Sequence, residues 1–144
     1  MPSNYNIKDI HRVIDANINR AKEGLRVCEE ITRFILNSYK LTEKLKDIRH
    51  RIDQVTLGLP AKSQLLKQRN ALSDIGRNIY AGELKRRGCA DIFFANIQRV
   101  KESLRVLEEF TKLKNIPAAR EFKKLRYRVY FAEQKIAQRL LPDK

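Results

Sequence analysis

An asparagine followed three residues later by an arginine occurs twice in similar surroundings, as Asn17 with Arg20 and as Asn96 with Arg99. On a helical wheel of about 100 degrees per residue, Asn17 falls in the middle of the apolar stripe of its helix, and Arg20 falls within the broad apolar arc around that stripe. A buried amide or guanidinium lowers stability unless its donors have partners. We therefore predict that all four residues are buried, face a cleft and bind an anion such as phosphate. The alternative is a core network in which each asparagine braces its arginine against backbone carbonyls.

A second pair of arginines could extend the same site. Arg49 and Arg126 occupy matching positions in the second helix of each half, at the margin of the apolar stripe. A guanidinium there offers two parallel N–H donors to a phosphate. The predicted phosphate-binding set therefore has six members: Asn17, Arg20, Arg49, Asn96, Arg99 and Arg126. The charged residues that point away from the apolar arc of the first helix are expected to form a solvated, salt-bridged face: Lys22, Arg26, Glu29 and Glu30.

Other familiar chemistry is not supported by the sequence. His11 and His50 lack the spacing to an Asp or a nucleophile that a Ser-His-Asp or Cys-His site needs. Neither the phosphate loop nor the dinucleotide-binding pattern is found among the five glycines. Cys28 and Cys89 have no zinc-site spacing, and we expect both to be reduced, buried thiols. Any phosphate site must therefore be built largely from side chains.

The elements that position these side chains belong to an internal repeat. Residues 16–33 read ANINRAKEGLRVCEEITR and residues 95–112 read ANIQRVKESLRVLEEFTK, with twelve of eighteen positions identical at a constant offset of 79 residues. Downstream, residues 45–52 parallel residues 122–129, so the second copy is two residues shorter. Each half is predicted to be a helical hairpin, which gives an all-α bundle of two repeated hairpins with pseudo-twofold symmetry and a short helical linker.

The 144 residues are expected to form one domain, 1–144, with halves at about 7–58 and 90–141 and a linker at 59–89. Capping residues and apolar spacing predict a first helix from Ile7 to about Asn37, with Asn6 as its N-cap, and a second from after Thr42 to Gly58. The second half is predicted to be helical at about 90–114 and from Pro117 onwards. Short helices are predicted at 60–69 and 79–87, around a loop at 70–78.

The charge balance narrows the class of partner. Thirty-one Lys and Arg residues against seventeen Asp and Glu give a formal net charge of +14, which favours phosphates, nucleotides or nucleic acid. The chain contains no apolar run of about 18 residues, and its first residues do not resemble a signal peptide. We therefore expect a soluble, cytoplasmic protein that does not contact membranes.

The motifs DANINRAKEGLRVCEE at residues 15–30 and FANIQRVKESLRVLEEF at residues 94–110 resemble a small helical domain often fused ahead of thiamine phosphate synthase. That family is an alternative, monofunctional hydroxymethylpyrimidine phosphate kinase. The resemblance covers nearly the whole chain and includes the segment KDIRHRI around Arg49 and the linker QRNALSDIGRNIYAGELKRR. It departs at Arg69-Asn70, where the family commonly has Arg-Asp, so a role for an acidic residue there does not carry over. Because no synthase sequence follows, the resemblance implies a stand-alone enzyme that hands its product to a separate thiamine phosphate synthase.

The resemblance implies transfer of the γ-phosphoryl group of ATP to hydroxymethylpyrimidine phosphate, with Mg²⁺ as cofactor, to give the diphosphate used in thiamine biosynthesis. The accepting phosphate oxygen is already ionised, so cationic clamps and positioning suffice without a general base. A kinase binds two different anions, so the unrepeated loop should distinguish donor from acceptor. Arg69, Asp74 and Gly76 are therefore predicted to approach one Asn/Arg pair, with Arg69 on a phosphate and Asp74 on the metal.

Two other functions would use the same arginines. A non-catalytic bundle that senses phosphate or a nucleotide would bind a small molecule without turnover. An RNA-binding protein, the less favoured alternative, would show affinity that collapses with salt and ignores substitutions at Asn17 or Asn96.

Overall fold

The computed structural model describes residues 4–59, 69–78 and 85–142, and its long elements are all helices. They are α1 (Ile7–Glu30), α2 (Tyr39–Thr56), α3 (Cys89–Thr111) and α4 (Ile116–Leu140). A π-helix, Ile31–Ile35, extends α1, and a 3₁₀-helix, Ile75–Arg77, lies in the linker. These three ranges contain no strand, so the predicted all-α class is confirmed. The twofold relation between the two hairpins stays a prediction.

Capping side chains set the starts of three of the helices. Asn6 caps α1 as predicted, because its side-chain oxygen accepts a hydrogen bond from the first turn. Asn115 caps α4 in the same way, with Pro117 in the first turn, where the missing N–H costs nothing. Ser38 caps α2, which therefore begins before Thr42, the residue after which the sequence placed its start.

The α-helical part of α1 ends before the predicted Asn37. The chain widens into the π-helix after Glu30, and Asn37 then adopts a positive φ of 50°. Asparagine tolerates this left-handed conformation better than most residues. The connection within the first hairpin is the place where that half is two residues longer than the second, and the π-helix takes up part of the extra length.

The interface between α1 and α3 is the most extensive in the bundle. A Cβ on Gly24 would lie 2.7 Å from Val100 Cγ2 and 3.0 Å from the carbonyl oxygen of Asn96, so the absence of a side chain permits this close approach. Further along α1, Cys28 Sγ lies 3.9 Å from the carbonyl oxygen of Phe93. The two helices are therefore antiparallel. α2 packs on α1 and α4 and completes a four-helix core.

The linker is described at residues 69–78 and 85–88. The predicted short helices fall mainly on residues 60–68 and 79–84, which lie outside the described residues, and residues 85–87 are not helical. The predicted loop is present at 70–78, with the 3₁₀-helix inside it. Cys28 is buried as predicted, whereas Cys89 is partly exposed. Among the described helices, none is both long and apolar enough to cross a membrane.

Candidate functional site

A cavity of about 660 Å³ opens between the first half of α1, the linker loop and the end of α3. We call it the α1 cavity. Four of the predicted residues line it: Asn17 and Arg20 from α1, and Arg69 and Asp74 from the loop. The unrepeated loop therefore lies next to the first Asn/Arg pair. We predicted this arrangement because a kinase must distinguish two anions. The roles of these residues stay predictions.

The two repeated asparagines are held by their own helices. Asn17 is 4% exposed, and its Nδ2 donates a hydrogen bond of 2.8 Å to the carbonyl oxygen of Val13. Asn96, which is half-buried, donates in the same way to the carbonyl oxygen of Ile92 at 2.8 Å. Each bond reaches back one helical turn and satisfies a donor that burial would otherwise leave without a partner. Each asparagine thus binds a carbonyl of its own helix, whereas the core-network alternative expected it to brace its arginine, and neither of these two bonds involves an arginine.

Both arginines of the repeat are exposed, so the predicted burial of Arg20 and Arg99 is wrong. The helical wheel gives the direction of the Cα–Cβ bond, but a long side chain can carry its guanidinium past the apolar rim into solvent. Arg20 lines the α1 cavity all the same. It makes no hydrogen bond or ion pair within the part of the chain that the structure describes. Its N–H donors are therefore open to a ligand.

Arg69 is anchored by a residue that sequence reasoning missed. Its Nε donates to Asp15 Oδ2 at 2.8 Å and its Nη2 donates to Asp15 Oδ1 at 2.9 Å. The hydrogen bond to Asp15 raises the pKa of Arg69 above the ordinary value of a guanidinium. The repeat held a signal for this pair, because the position that matches Asp15 in the second half is Phe94. An aspartate where the other copy has an apolar residue is a buried carboxylate that needs a partner.

Asp74 lies on the loop side of the α1 cavity. Its Oδ1 accepts a hydrogen bond of 2.8 Å from the backbone N–H of Gly76, so the carboxylate caps the 3₁₀-helix. Gly76 itself does not line the α1 cavity, so its predicted approach to an Asn/Arg pair stays a prediction. Across the described ranges, no three His, Cys, Asp or Glu side chains are grouped so that they could hold a metal ion. A divalent cation at this position would have to take most of its ligands from a bound phosphate and from water.

Arg49 and Arg126 do not line the α1 cavity, because each is paired with a buried glutamate. Arg49 donates from Nε and Nη2 to the two carboxylate oxygens of Glu29 at 2.7 and 3.1 Å. Arg126 donates from Nε to Oε2 of Glu108 at 3.1 Å, and its Nη2 forms an ion pair with the same oxygen at 3.0 Å. Both glutamates are 5% exposed and occupy matching positions in the repeat. The guanidiniums therefore already have a carboxylate partner where the sequence predicted a phosphate.

These two arginines line separate cavities. Arg49 lies in one of about 800 Å³ beside the second half of α1, and Arg126 lies in one of about 420 Å³ between α3 and α4. Neither Asn96 nor Arg99 lines the α1 cavity. Of the six residues predicted to bind phosphate, the structure thus brings Asn17 and Arg20 to the linker loop and leaves the other four elsewhere.

The expected solvated face of α1 is only partly solvated. Arg26 and Glu30 are exposed and form an i, i+4 ion pair, with 4.0 Å between Nε and Oε1, as expected for a salt-bridged face. Glu29 was expected on the same face but is buried, because Arg49 supplies the partner that lets its carboxylate leave solvent. Lys22 is half-buried and pairs with Asp53.

Comparison with known proteins places this arrangement in a family. The model of the ThiD2 family matches residues 12–135, a stretch that includes every residue of α2 and α3 and most of α1 and α4. The chain belongs to the ThiD2 family. No solved structure matches the chain.

Curated relatives carry the ThiD2 sequence within longer proteins. The chain is 39% identical over 137 residues to a thiamine-phosphate synthase of Synechocystis, a match that covers 91% of this chain and 38% of that protein. It is 36% identical over 136 residues to a thiamine-phosphate synthase of Prochlorococcus marinus, with 90% and 37% covered. A thiamine-phosphate synthase of Rhodopirellula baltica is 36% identical over 129 residues, with 89% and 34% covered. This chain thus spans little more than a third of each of these relatives.

Proposed function

We propose that this ThiD2 protein is a kinase that transfers the γ-phosphoryl group of ATP to hydroxymethylpyrimidine phosphate, with Mg²⁺, to supply the diphosphate for thiamine biosynthesis. The observation that carries the proposal is the α1 cavity, where Arg20, Arg69 and Asp74 meet although they come from a helix and a distant loop. The similarity to thiamine-phosphate synthases supports the pathway. The product would pass to a thiamine phosphate synthase.

The reaction asks little covalent chemistry of the protein. An ionised oxygen of the acceptor monophosphate forms a bond to the γ-phosphorus, while the bond between that phosphorus and the bridging oxygen of ADP breaks and ADP leaves with the electron pair. No proton has to be removed from the acceptor, so a general base is not needed. Alignment of two anions and neutralisation of their charge provide the rate enhancement. An arginine-lined cavity without a catalytic histidine suits that requirement.

The cavity residues divide these tasks. Arg20 has no partner among the described residues and would bind a phosphate directly through its planar donors. Asp74 would contact Mg²⁺, directly or through water, while phosphate oxygens supply most of the ligands. The hydrogen bond to Asp15 holds Arg69 at the same cavity as Arg20 and Asp74. A phosphate that enters the cavity would compete with the Asp15 carboxylate for the N–H donors of Arg69.

Turnover assays of the wild type and of variants at the two equivalent arginines of the repeat, Arg20 and Arg99, test the proposal. Wild-type protein with Mg²⁺ should convert ATP to ADP only when hydroxymethylpyrimidine phosphate is present, with the diphosphate identified by its mass. Arg20→Gln should lower kcat/KM by about 10- to 100-fold, since a hydrogen bond to a charged group contributes roughly 1.5–3 kcal/mol. Arg20→Lys should also lower it, because an ammonium cannot reproduce the two-pronged contact.

Arg99→Gln is the matched control, because Arg99 occupies the equivalent position in the second repeat and does not line the α1 cavity. It should leave turnover unchanged. Absence of acceptor-dependent ADP formation in the wild type would overturn the proposal. Saturable binding of ATP or the pyrimidine phosphate without turnover would point instead to a non-catalytic sensing bundle.

A further inference from the structure

A second arginine that has no partner among the described residues also lines the α1 cavity. Arg12 lies eight residues before Arg20 on α1, so the two Cα atoms are about 12 Å apart along the helix axis and about 80° apart around it, and both residues line the α1 cavity. Both side chains are exposed. Within the described residues, neither makes a hydrogen bond or an ion pair. The cavity wall therefore carries two guanidiniums from successive parts of α1.

The described cavity wall carries three arginines and three aspartates, so its formal charges balance, but only Arg69 and Asp15 are paired with each other. The carboxylate of Asp15 is held by Arg69, and that of Asp74 accepts from the backbone of Gly76. Asp9 is exposed in the first turn of α1 and lines the rim. Among the described lining residues, the arginines without a carboxylate partner are therefore Arg12 and Arg20, and the carboxylates without a cationic partner, Asp9 and Asp74, suit an anion that carries a divalent cation.

The repeat shows that Arg12 is not required by the fold. The position that matches Arg12 in the second half is Asp91, whose carboxylate accepts a hydrogen bond of 3.0 Å from the backbone N–H of Arg87. The helix forms with an acidic residue there, whereas the Asn/Arg pair is kept in both halves. Arg12 is therefore an arginine specific to the half that contains the α1 cavity.

We propose that Arg12 and Arg20 together bind an oligophosphate, a chain of two or more phosphates, that reaches across the α1 cavity from one to the other with its magnesium ion. An oligophosphate carries negative charge on each of its phosphates, so a different phosphate contacts each guanidinium. A single phosphate needs only one of the two guanidiniums, and its affinity therefore does not depend on both. This inference rests on the proposed function in one respect: it assigns the phosphoryl donor of that reaction, rather than the acceptor, to the α1 cavity. Arg12 is then a specificity-determining residue that selects a triphosphate donor over monophosphates.

Calorimetric titration of the full chain with inorganic triphosphate, diphosphate and phosphate, each with Mg²⁺, tests the inference without requiring turnover. Wild-type protein should bind triphosphate more tightly than phosphate. Arg12→Gln should raise the Kd for triphosphate by about 10-fold, the effect of one charge-assisted hydrogen bond at an exposed site, and should leave the Kd for phosphate nearly unchanged. Arg12→Asp, which introduces the residue type of the second repeat, should weaken triphosphate further.

Arg128→Gln removes the same charge from an exposed position on α4 and is the matched control, expected to bind triphosphate as the wild type does. The inference is overturned if Arg12→Gln binds triphosphate with wild-type affinity, or if the control loses as much as Arg12→Gln. Wild-type protein that binds phosphate as tightly as triphosphate would overturn it as well.

If triphosphate binding depends on Arg12 and no turnover is found, the kinase proposal fails while the oligophosphate site stands. If turnover is found and Arg12→Gln leaves the KM for ATP unchanged, the site fails while the kinase stands.

Discussion

Arg69 and Asp15 join two segments that lie 54 residues apart in sequence, through two parallel hydrogen bonds of 2.8 and 2.9 Å. The aspartate side chain is 10% exposed and the arginine side chain 43% exposed, so the pair reaches from the bundle to its surface. This contact fixes the start of the linker loop against α1. It thereby holds Asp74 on the cavity that Arg20 lines.

Asp15→Asn is expected to uncouple the loop from α1. An amide offers one oxygen instead of two charged ones, so we expect a loss of about 1–3 kcal/mol in the free energy of unfolding, together with a fall in kcat. Urea unfolding and steady-state kinetics measure the two effects. Asp53→Asn, which breaks the more exposed pair with Lys22, serves as the control and should cost about 1 kcal/mol or less without a change in kcat. Equal effects of the two substitutions on kcat would contradict an anchoring role for Asp15.

Asp74→Asn separates the structural role of Asp74 from its proposed metal role. Asparagine keeps a side-chain oxygen that can accept from the N–H of Gly76, so the 3₁₀-helix should persist and the midpoint of thermal unfolding should stay within about 2 °C of the wild type. Mg²⁺-dependent turnover should fall by at least about 10-fold, because a neutral amide is a poor ligand for Mg²⁺. Full activity in this variant would show that ATP, water or another carboxylate holds the metal.

Gly24→Ala tests the close contact between α1 and α3. The added Cβ would meet Val100 Cγ2, which belongs to a fully buried side chain, and the backbone oxygen of Asn96, which cannot move without a shift of α3. Alanine favours a helix over glycine by about 1 kcal/mol, whereas the strain of the added Cβ costs roughly 1–3 kcal/mol. The free energy of unfolding is therefore expected to fall. Gly88→Ala, where a Cβ would meet nothing within 4 Å, should change it by about 0.5 kcal/mol or less. A more stable Gly24→Ala protein would show that the helices separate at little cost.

Stability should decrease in alkaline solution because of Cys28. Burial, with smaller contributions from the charges of Glu29 and Glu133, raises the pKa of the Cys28 thiol from 9.0 to about 12. Below pH 9 both the folded and the unfolded chain keep the thiol proton. Above pH 9 the unfolded chain loses it while the folded protein retains it, so the free energy of unfolding should fall by about 1.4 kcal/mol per pH unit towards pH 12.

The comparison with Cys28→Ala isolates this effect from the titration of lysines and tyrosines. Urea unfolding at pH 8, 9 and 10 should show a steeper decline in the wild type than in Cys28→Ala. Cys89→Ala, at a partly exposed thiol, should follow the wild-type slope. Parallel slopes for the wild type and Cys28→Ala would rule out the linkage.

Local chemistry made the helices predictable from the sequence. Asn6 and Pro117 act through their own turn, so the starts of α1 and α4 followed from residue type alone. The end of α1 was harder, because the π-helix depends on how the chain must turn to reach α2 rather than on any one residue.

The candidate site was predictable only in part, because side chains choose partners that are distant in sequence. The wheel placed Asn17 correctly in the interior but could not show that the guanidinium of Arg20 reaches solvent. Glu29 pointed away from the apolar arc, yet Arg49 on the next helix allows it to be buried. The Asp15–Arg69 pair depends on a loop path that no local pattern encodes.

The extensive interface between α1 and α3 has a consequence for how the chain folds. Contacts within each hairpin join neighbouring helices and close short loops, whereas the contact of Gly24 with Val100 requires closure of a loop on the order of 70 residues. Helical proteins with local contacts fold quickly, and each increase in the sequence separation of contacts slows them. The rate-limiting event is therefore expected to be the meeting of the two hairpins, and the α1 cavity, which lies between α1, the linker and α3, comes into existence only after that encounter.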